Sequence, residues 1–241
     1  MYTETLASSI VAILGAGNER AFAARVGDAA SGIGFDYCVV DIEIDRPLVG
    51  RLSCTTGRYP QEWHRAYVER SYRAIDPTVR HCRTSAEPLI WASDLQTLET
   101  AGLWELARHH GLAYGFCVPV HGHRGLKSML TFARRDALPF NAEDLSELIA
   151  AASALANCAH VVGARLLLPA LLEQSVPALS AREKDCLQWA ARGLTSEEIG
   201  VRLHISAPTV VFHINKIVRK IGAKSRTGAI ARGLALGLLD E

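Results

Sequence analysis

The apolar positions of this chain change period several times, and each change marks an element. Residues 35–44 (FDYCVVDIEI) are crowded with β-branched and aromatic side chains and predict a strand. Residues 116–120 and 126–133 predict two more, joined through His121-Gly-His-Arg-Gly125, whose glycines suit a hairpin. Asn141, with Asp144 three residues on, reads as an N-cap. The alanine- and leucine-rich run behind it predicts a helix to about Arg165, apolar on more than one face, as burial against both a sheet and a partner helix requires. Strands bracketed by helices predict an α/β layered domain over residues 1–163. Residues 164–178 carry Pro169 and Pro177, lack a continuing period, and read as a linker.

The pattern is sharpest in residues 179–241. Ser180 and Glu183 have capping-box spacing, so a helix should open at about Ala181, with Cys186, Leu187, Trp189 and Ala190 on its apolar face and Gly193 as its stop. Thr195 and Glu198 form a second capping box. His204-Ile205 makes a turn, and Ser206 caps a third helix that tolerates Pro208 in its first turn. Val210, Ile214, Ile217 and Ile221 repeat at helical spacing, and Gly222 ends that run. A fourth helix runs from about Arg226 to Leu236. Short helices joined by such a turn are the architecture that lays one helix into the major groove of DNA.

Charge sharpens this picture. The chain of 241 residues has a formal net charge of only +1. From Gly200 to Leu234, however, the charged residues are Arg202, Lys216, Arg219, Lys220, Lys224, Arg226 and Arg232, with no Asp or Glu. A solvated basic face on an ordinary helical bundle carries the same charge. The caps, the turn and the one-signed face together point to a nucleic-acid backbone. The composition, 49% hydrophobic and 21% charged, suits a globular chain with real cores. Six irregularly spaced cysteines, without CxxC, read as reduced, mostly buried thiols. No secretory leader or membrane span is expected, which places the protein in the cytoplasm.

The first domain offers a second constellation. Tyr59, Trp63 and Tyr67 fall at i, i+4, i+8, one stripe if helical, followed by Asp76-Pro77 and Trp91; Gly115, Pro119 and Thr131 lie in the hairpin region. Aromatics with one carboxylate suit an apolar pocket with a few orienting polar groups. The plainer reading is core packing, with Asp76 capping a turn before Pro77. Competing signals are weaker. Residues 10–20 (IVAILGAGNER) imitate a dinucleotide-binding turn, but the third glycine is missing, and Gly15 and Gly17 read better as a break between two helices. His109-His110 and His121-x-His123 lack a third ligand, so no metal is expected. No acidic cluster with a phosphoacceptor Asp and no nucleophile set stands out, so no catalytic residue and no cofactor is assigned. A cofactor-dependent enzyme domain fused to a DNA-binding tail, or a regulator that needs no ligand, remain the alternatives.

The run from Leu179 to Leu187, then Gly193 to Ile199, Leu203 to Ser206, Thr209-Val210, His213 and Lys220 to Gly222 closely resembles the LuxR-type helix-turn-helix. Tyr59, Trp63, Tyr67, Asp76 and Trp91 resemble, in identity and spacing, the pocket of the LuxR-type receptors for N-acyl-homoserine lactones, bacterial quorum-sensing signals. The resemblance implies an α+β fold: an N-terminal α-β-α sandwich around an antiparallel sheet, and an all-α C-terminal helix-turn-helix domain. It implies that Trp63 donates to the lactone carbonyl, Asp76 accepts the amide N–H, and Tyr59, with Thr131, bonds the amide carbonyl. Tyr67 and Trp91 would pack around the lactone ring and the head of the acyl chain, and Cys38 would border the acyl region, which scattered apolar residues are expected to shape. It further implies a homodimer on a roughly two-fold symmetric site in double-stranded DNA, contacted by Thr209, Val211, His213, Asn215, Lys216, Arg219 and Lys220. Val211 and Asn215 stand where longer polar or basic side chains are common in the family.

Overall fold

Strand β1 (Tyr37–Arg46) alternates Cys38, Val40, Ile42 and Ile44 with Val39, Asp41 and Glu43, so its two faces have different chemistry. The structure, a computed structural model, describes residues 3–46, 50–91, 95–138, 141–175 and 178–239. With β2 (Gly50–Arg58), β3 (Leu89–Trp91), β4 (Tyr114–His121) and β5 (Leu126–Arg134), β1 forms a sheet of order β2-β1-β5-β4-β3. The pairs β1–β5, β5–β4 and β4–β3 are antiparallel. The predicted hairpin is β4–β5; β2 and the short β3 are additions to the strands predicted.

One sheet face carries Cys38, Val40, Ile42, Phe116, Val118, Leu130 and Phe132. They pack with side chains of α1 (Thr3–Leu14), α2 (Glu19–Gly32) and α6 (Ala142–Ser175), among them Ile13, Phe22, Val26, Leu148, Leu155 and Val162. Phe35, Phe116 and Phe132 cluster with ring centroids 5.2–5.3 Å apart. Each such fully buried ring contributes about 1.5–3 kcal/mol of burial. Asn141 caps α6 as predicted: its Oδ1 accepts from the Asp144 N–H at 2.7 Å, and its Nδ2 donates to the Asp144 carboxylate at 2.7 Å.

Helix α6 is longer than predicted. It continues past Arg165 to Ser175 and takes Pro169 inside it. Leu166 to Leu168 and Ala170 to Leu172 are good helix formers and Leu167 is buried, which offsets part of the cost of the N–H that Pro169 lacks and of its ring against the preceding turn. Residues 176–177, including Pro177, lie outside the described residues. By length and a mean hydropathy of 1.5 this helix resembles a membrane span. Its apolarity has another origin, because Leu148, Ala152, Leu155, Ala159 and Val162 cover the sheet. At the N-terminus, residues 10–14 are helical and Asn18 caps α2 through the Ala21 N–H. The strand of a dinucleotide-binding turn is therefore absent there, and the glycines separate two helices.

The opposite sheet face is covered by α3 (Gln61–Glu69), α4 (Pro77–Thr84) and α5 (Ala101–His109). Residues 45–52 and 170–241 belong to a separate compact unit. It contains α7 (Ala181–Ala191), α8 (Ser196–Leu203), α9 (Ala207–Lys220) and α10 (Arg226–Ala235) around Cys186, Leu187, Ile199, Val210, Ile214 and Ile217. Both predicted capping boxes form, and Ser206 caps α9. His204 turns the chain between α8 and α9 in the left-handed region, at φ 54°. Gly200 makes that turn possible, since a Cβ there would stand 2.7 Å from the Ile205 carbonyl oxygen.

Candidate functional site

Beneath α3, α4 and α5 the sheet leaves a cavity of about 540 Å³. Tyr59, Trp63, Tyr67, Asp76, Trp91 and Thr131 all line it. They come from different elements. Thr131 points up from β5, and Trp91 ends β3. Trp63 and Tyr67 share one side of α3, their rings 5.5 Å apart. Tyr59 precedes α3 instead of lying on it, because the helix starts after Pro60; its side chain still reaches the cavity. Trp91 packs against Gly115, where an added Cβ would stand 2.5 Å from the indole.

Asp76 combines both readings made from the sequence. Its Oδ1 accepts from the Thr78 N–H at 2.8 Å and from the Thr78 hydroxyl at 2.6 Å, which caps α4. Its Oδ2 accepts from the Tyr67 hydroxyl at 2.8 Å. A carboxylate has about four acceptor positions, so one remains, and Asp76 is among the residues that line the cavity. Burial, then the charge of Asp76, raises the Tyr67 phenol well above its usual range. Burial likewise raises that of Tyr59, helped by Cys38, Asp76 and Cys117. Both tyrosines therefore stay protonated. Of the buried polar side-chain atoms without a partner among the described residues, three belong to residues that line this cavity: Trp91 Nε1, Trp104 Nε1 and Thr131 Oγ1. An unmade hydrogen bond of this kind costs about 1–3 kcal/mol, so the cavity favours an occupant with matching polar atoms.

Sequence reasoning left several lining residues unassigned. Leu103, Trp104 and Ala107 on α5, with Leu112 after it, wall the cavity, and the Trp104 ring centroid lies 6.3 Å from that of Trp91. Their helical spacing was the available signal. Cys38 is not brought to the cavity. It is buried on the other face of β1, among the side chains under α2 and α6. Its neighbour Val39, and Asp41 beyond it, are the β1 residues that line the cavity. Asp41 accepts from Thr55 Oγ1 at 2.8 Å and from Arg73 at 2.5 and 2.8 Å; Arg73 and Arg83 also reach Glu43. Among the described residues no group of three or more His, Cys, Asp or Glu is placed to hold a metal, and His121 Nε2 meets the Cys82 carbonyl oxygen at 2.8 Å.

In the helical unit, α9 presents Val211 (45% exposed), Phe212 (57% exposed), Asn215, Lys216 and Arg219 to solvent. Phe212 was not singled out in the sequence, although it precedes Asn215 and Lys216 by three and four residues on the same stripe. Thr209 is half-buried, with its hydroxyl 2.8 Å from that of Ser206. His213 is half-buried beside Phe212. Lys220 donates to the fully buried Glu183 at 2.6 Å and to the Ala178 carbonyl at 2.9 Å; Lys216 lies 3.6 Å from Glu183. Trp189 is flanked by Arg192 and Arg202, at 4.8 and 4.1 Å from its ring centroid. Arg226 donates to Ser196 Oγ and to the Leu194 carbonyl oxygen, which commits it to the fold.

Residues 18–161 match the family described as the autoinducer binding domain, and residues 177–232 match the bacterial regulatory proteins of the luxR family. The chain is 35% identical over 222 residues to the transcriptional activator protein SolR of Ralstonia nicotianae, covering 92% of this chain and 93% of that one. Among solved structures it is similar to SdiA in complex with octanoyl-rac-glycerol, with a TM-score of 0.65, 25% identity, and coverage of 100% and 98%. It is also similar to CepR2 of Burkholderia cenocepacia, titled an N-acylhomoserine lactone dependent LuxR family transcription factor, with a TM-score of 0.59, 26% identity, and coverage of 66% and 94%.

Proposed function

The chain belongs to the LuxR family of autoinducer-binding transcriptional regulators, and we propose that its ligand is an N-acyl-homoserine lactone whose binding controls how a homodimer engages a two-fold symmetric DNA site in the cytoplasm. Members of this family regulate transcription and are not enzymes, and the ligand takes the place a cofactor would have had. The observation that carries the reading is the lining of the cavity: one open acceptor position on Asp76 amid tryptophan and tyrosine side chains, with Thr131 Oγ1 unpaired.

An acyl-homoserine lactone has one amide N–H, one amide carbonyl and one ring carbonyl. In this reading the N–H goes to Asp76, whose ionised oxygen gives a charge-assisted bond. Tyr59 and Thr131 hold the amide carbonyl, Trp63 donates to the ring carbonyl, and Trp91 and Trp104 enclose the ring. Val211, Phe212 and Asn215 form the base-reading stripe of α9. A valine suits a thymine methyl, and Asn pairs with adenine. Arg219 is the phosphate contact least committed to the fold.

The test is titration calorimetry of the full chain with octanoyl-homoserine lactone, and with octanoyl-glycerol as the competing ligand class, since SdiA has been solved with that compound. Asp76→Asn keeps a good capping residue but loses the charged acceptor. We expect the lactone to bind the wild-type chain and to bind the variant about tenfold to hundredfold more weakly, with an unchanged melting temperature. Equal affinity in the variant, or binding of the glycerol ester alone, rejects the assignment.

A further inference from the structure

The cavity is not lined throughout as the apolar sleeve that a plain alkyl chain prefers. The antiparallel register orders the wall along β1 and β5. Thr131 faces Val39, and one step further Met129 faces Asp41. A two-residue step is about 7 Å along a strand, and neighbouring strands lie about 5 Å apart. Asp41 therefore stands one step along and one strand over from Thr131, a distance within reach of an acyl group of moderate length. Ser53, Thr55, Arg73 and Arg83 line the cavity with it.

Asp41 is 6% exposed. Three of its roughly four acceptor positions take the Thr55 hydroxyl and the two Arg73 N–H groups. The Arg73 guanidinium is fixed in turn by Glu43. A methyl terminus packed here removes water from the remaining acceptor position and returns nothing, while a hydroxyl satisfies it. Resting on the ligand class proposed above, we infer that the cognate acyl group carries a hydroxyl at its far end, which donates to Asp41. The Asp41–Thr55–Arg73 cluster is then the specificity determinant for the tail, distinct from the Asp76 cluster that holds the amide.

The experiment compares two series of N-acyl-homoserine lactones on the full chain by titration calorimetry: straight-chain compounds from butanoyl to decanoyl, and the same compounds with a terminal hydroxyl. At the best-fitting length the hydroxylated compound should bind about tenfold more tightly than its alkyl partner, the value of one well-placed hydrogen bond. Asp41→Leu should reverse that order. Asp41→Asn, which keeps the shape and a neutral acceptor, should reduce the preference several-fold and serves if the leucine variant does not fold. Alkyl compounds that bind as tightly as their hydroxylated partners at every length overturn this inference and leave the lactone reading standing. So does a preference that persists in full in Asp41→Asn. Binding of neither series overturns both.

Discussion

Single residues carry more than one duty in this protein, and Glu183 is the clearest case. Its carboxyl is wholly buried, which alone would raise its pKa. The hydrogen bonds from Lys220 and the Ser180 N–H, and the charges of Lys220 and Lys216, outweigh burial and bring it down to about 2 from 4.5. A depressed carboxyl adds stability above its unfolded value and loses it as pH falls toward its folded one. We therefore expect the protection of the Ile214 and Ile217 amides against hydrogen exchange to decline between about pH 4.5 and 2. Glu183→Gln should start lower at neutral pH and show little further decline across that window; superimposable wild-type and variant curves would remove Glu183 from this role. The residue scale also shows what was readable. Ser180 with Glu183, and Asp76 before Pro77, are legible because a cap acts over three residues of local chain. The position of Cys38 was legible too, through strand parity: Asp41 and Glu43 mark one face of β1 and Val40 and Ile42 the other, and Cys38 shares parity with the second pair. Trp104 was not assigned, because its neighbours in the cavity come from segments distant in sequence.

At the scale of elements, local chemistry predicted most of what formed. The helices of residues 181–235 follow their caps and glycine stops closely. Where tertiary packing competes with local signals, the reading from sequence fell short. Pro169 suggested a break, yet α6 passes through it to Ser175. Strand β2 was not predicted, since its residues are mixed in polarity at a sheet edge with exposed and half-buried positions alternating. The α8–α9 turn gives a decisive test at this scale. Gly200→Ala forces a Cβ to within 2.7 Å of the Ile205 carbonyl oxygen, against backbone that has no free rotation to relieve it. Overpacking of this kind costs about 1–3 kcal/mol, and the turn that sets α9 against α8 must open. DNA binding should fall at least tenfold in the variant while the affinity for the lactone stays at the wild-type value. Unchanged DNA affinity would mean that the turn tolerates a methyl group and does not hold α9 in its reading position.

For the whole molecule the open question is how many copies of α9 meet the DNA, and electrostatics answers it through salt. Each phosphate contact releases counterions, so the logarithm of affinity falls with the logarithm of salt concentration with a slope of about −0.9 per contact. Arg219 is exposed on α9 and, unlike Lys216 and Lys220, is not paired with Glu183. Removing it should therefore change the slope with little change in stability. If one copy engages DNA, Arg219→Ala reduces the slope by about 1; if a homodimer engages a two-fold site, the same substitution removes two contacts and reduces it by about 2. We expect the second result, measured by fluorescence anisotropy on a symmetric duplex with saturating lactone. Lys220→Ala should behave differently, because its ammonium also bonds Glu183 and the Ala178 carbonyl: the melting temperature of the helical unit should fall as well as the slope. A slope reduced by about 1 in Arg219→Ala would leave the family assignment untouched and remove the homodimer from the proposed mechanism, since a phosphate contact that is present once per complex has no symmetry partner.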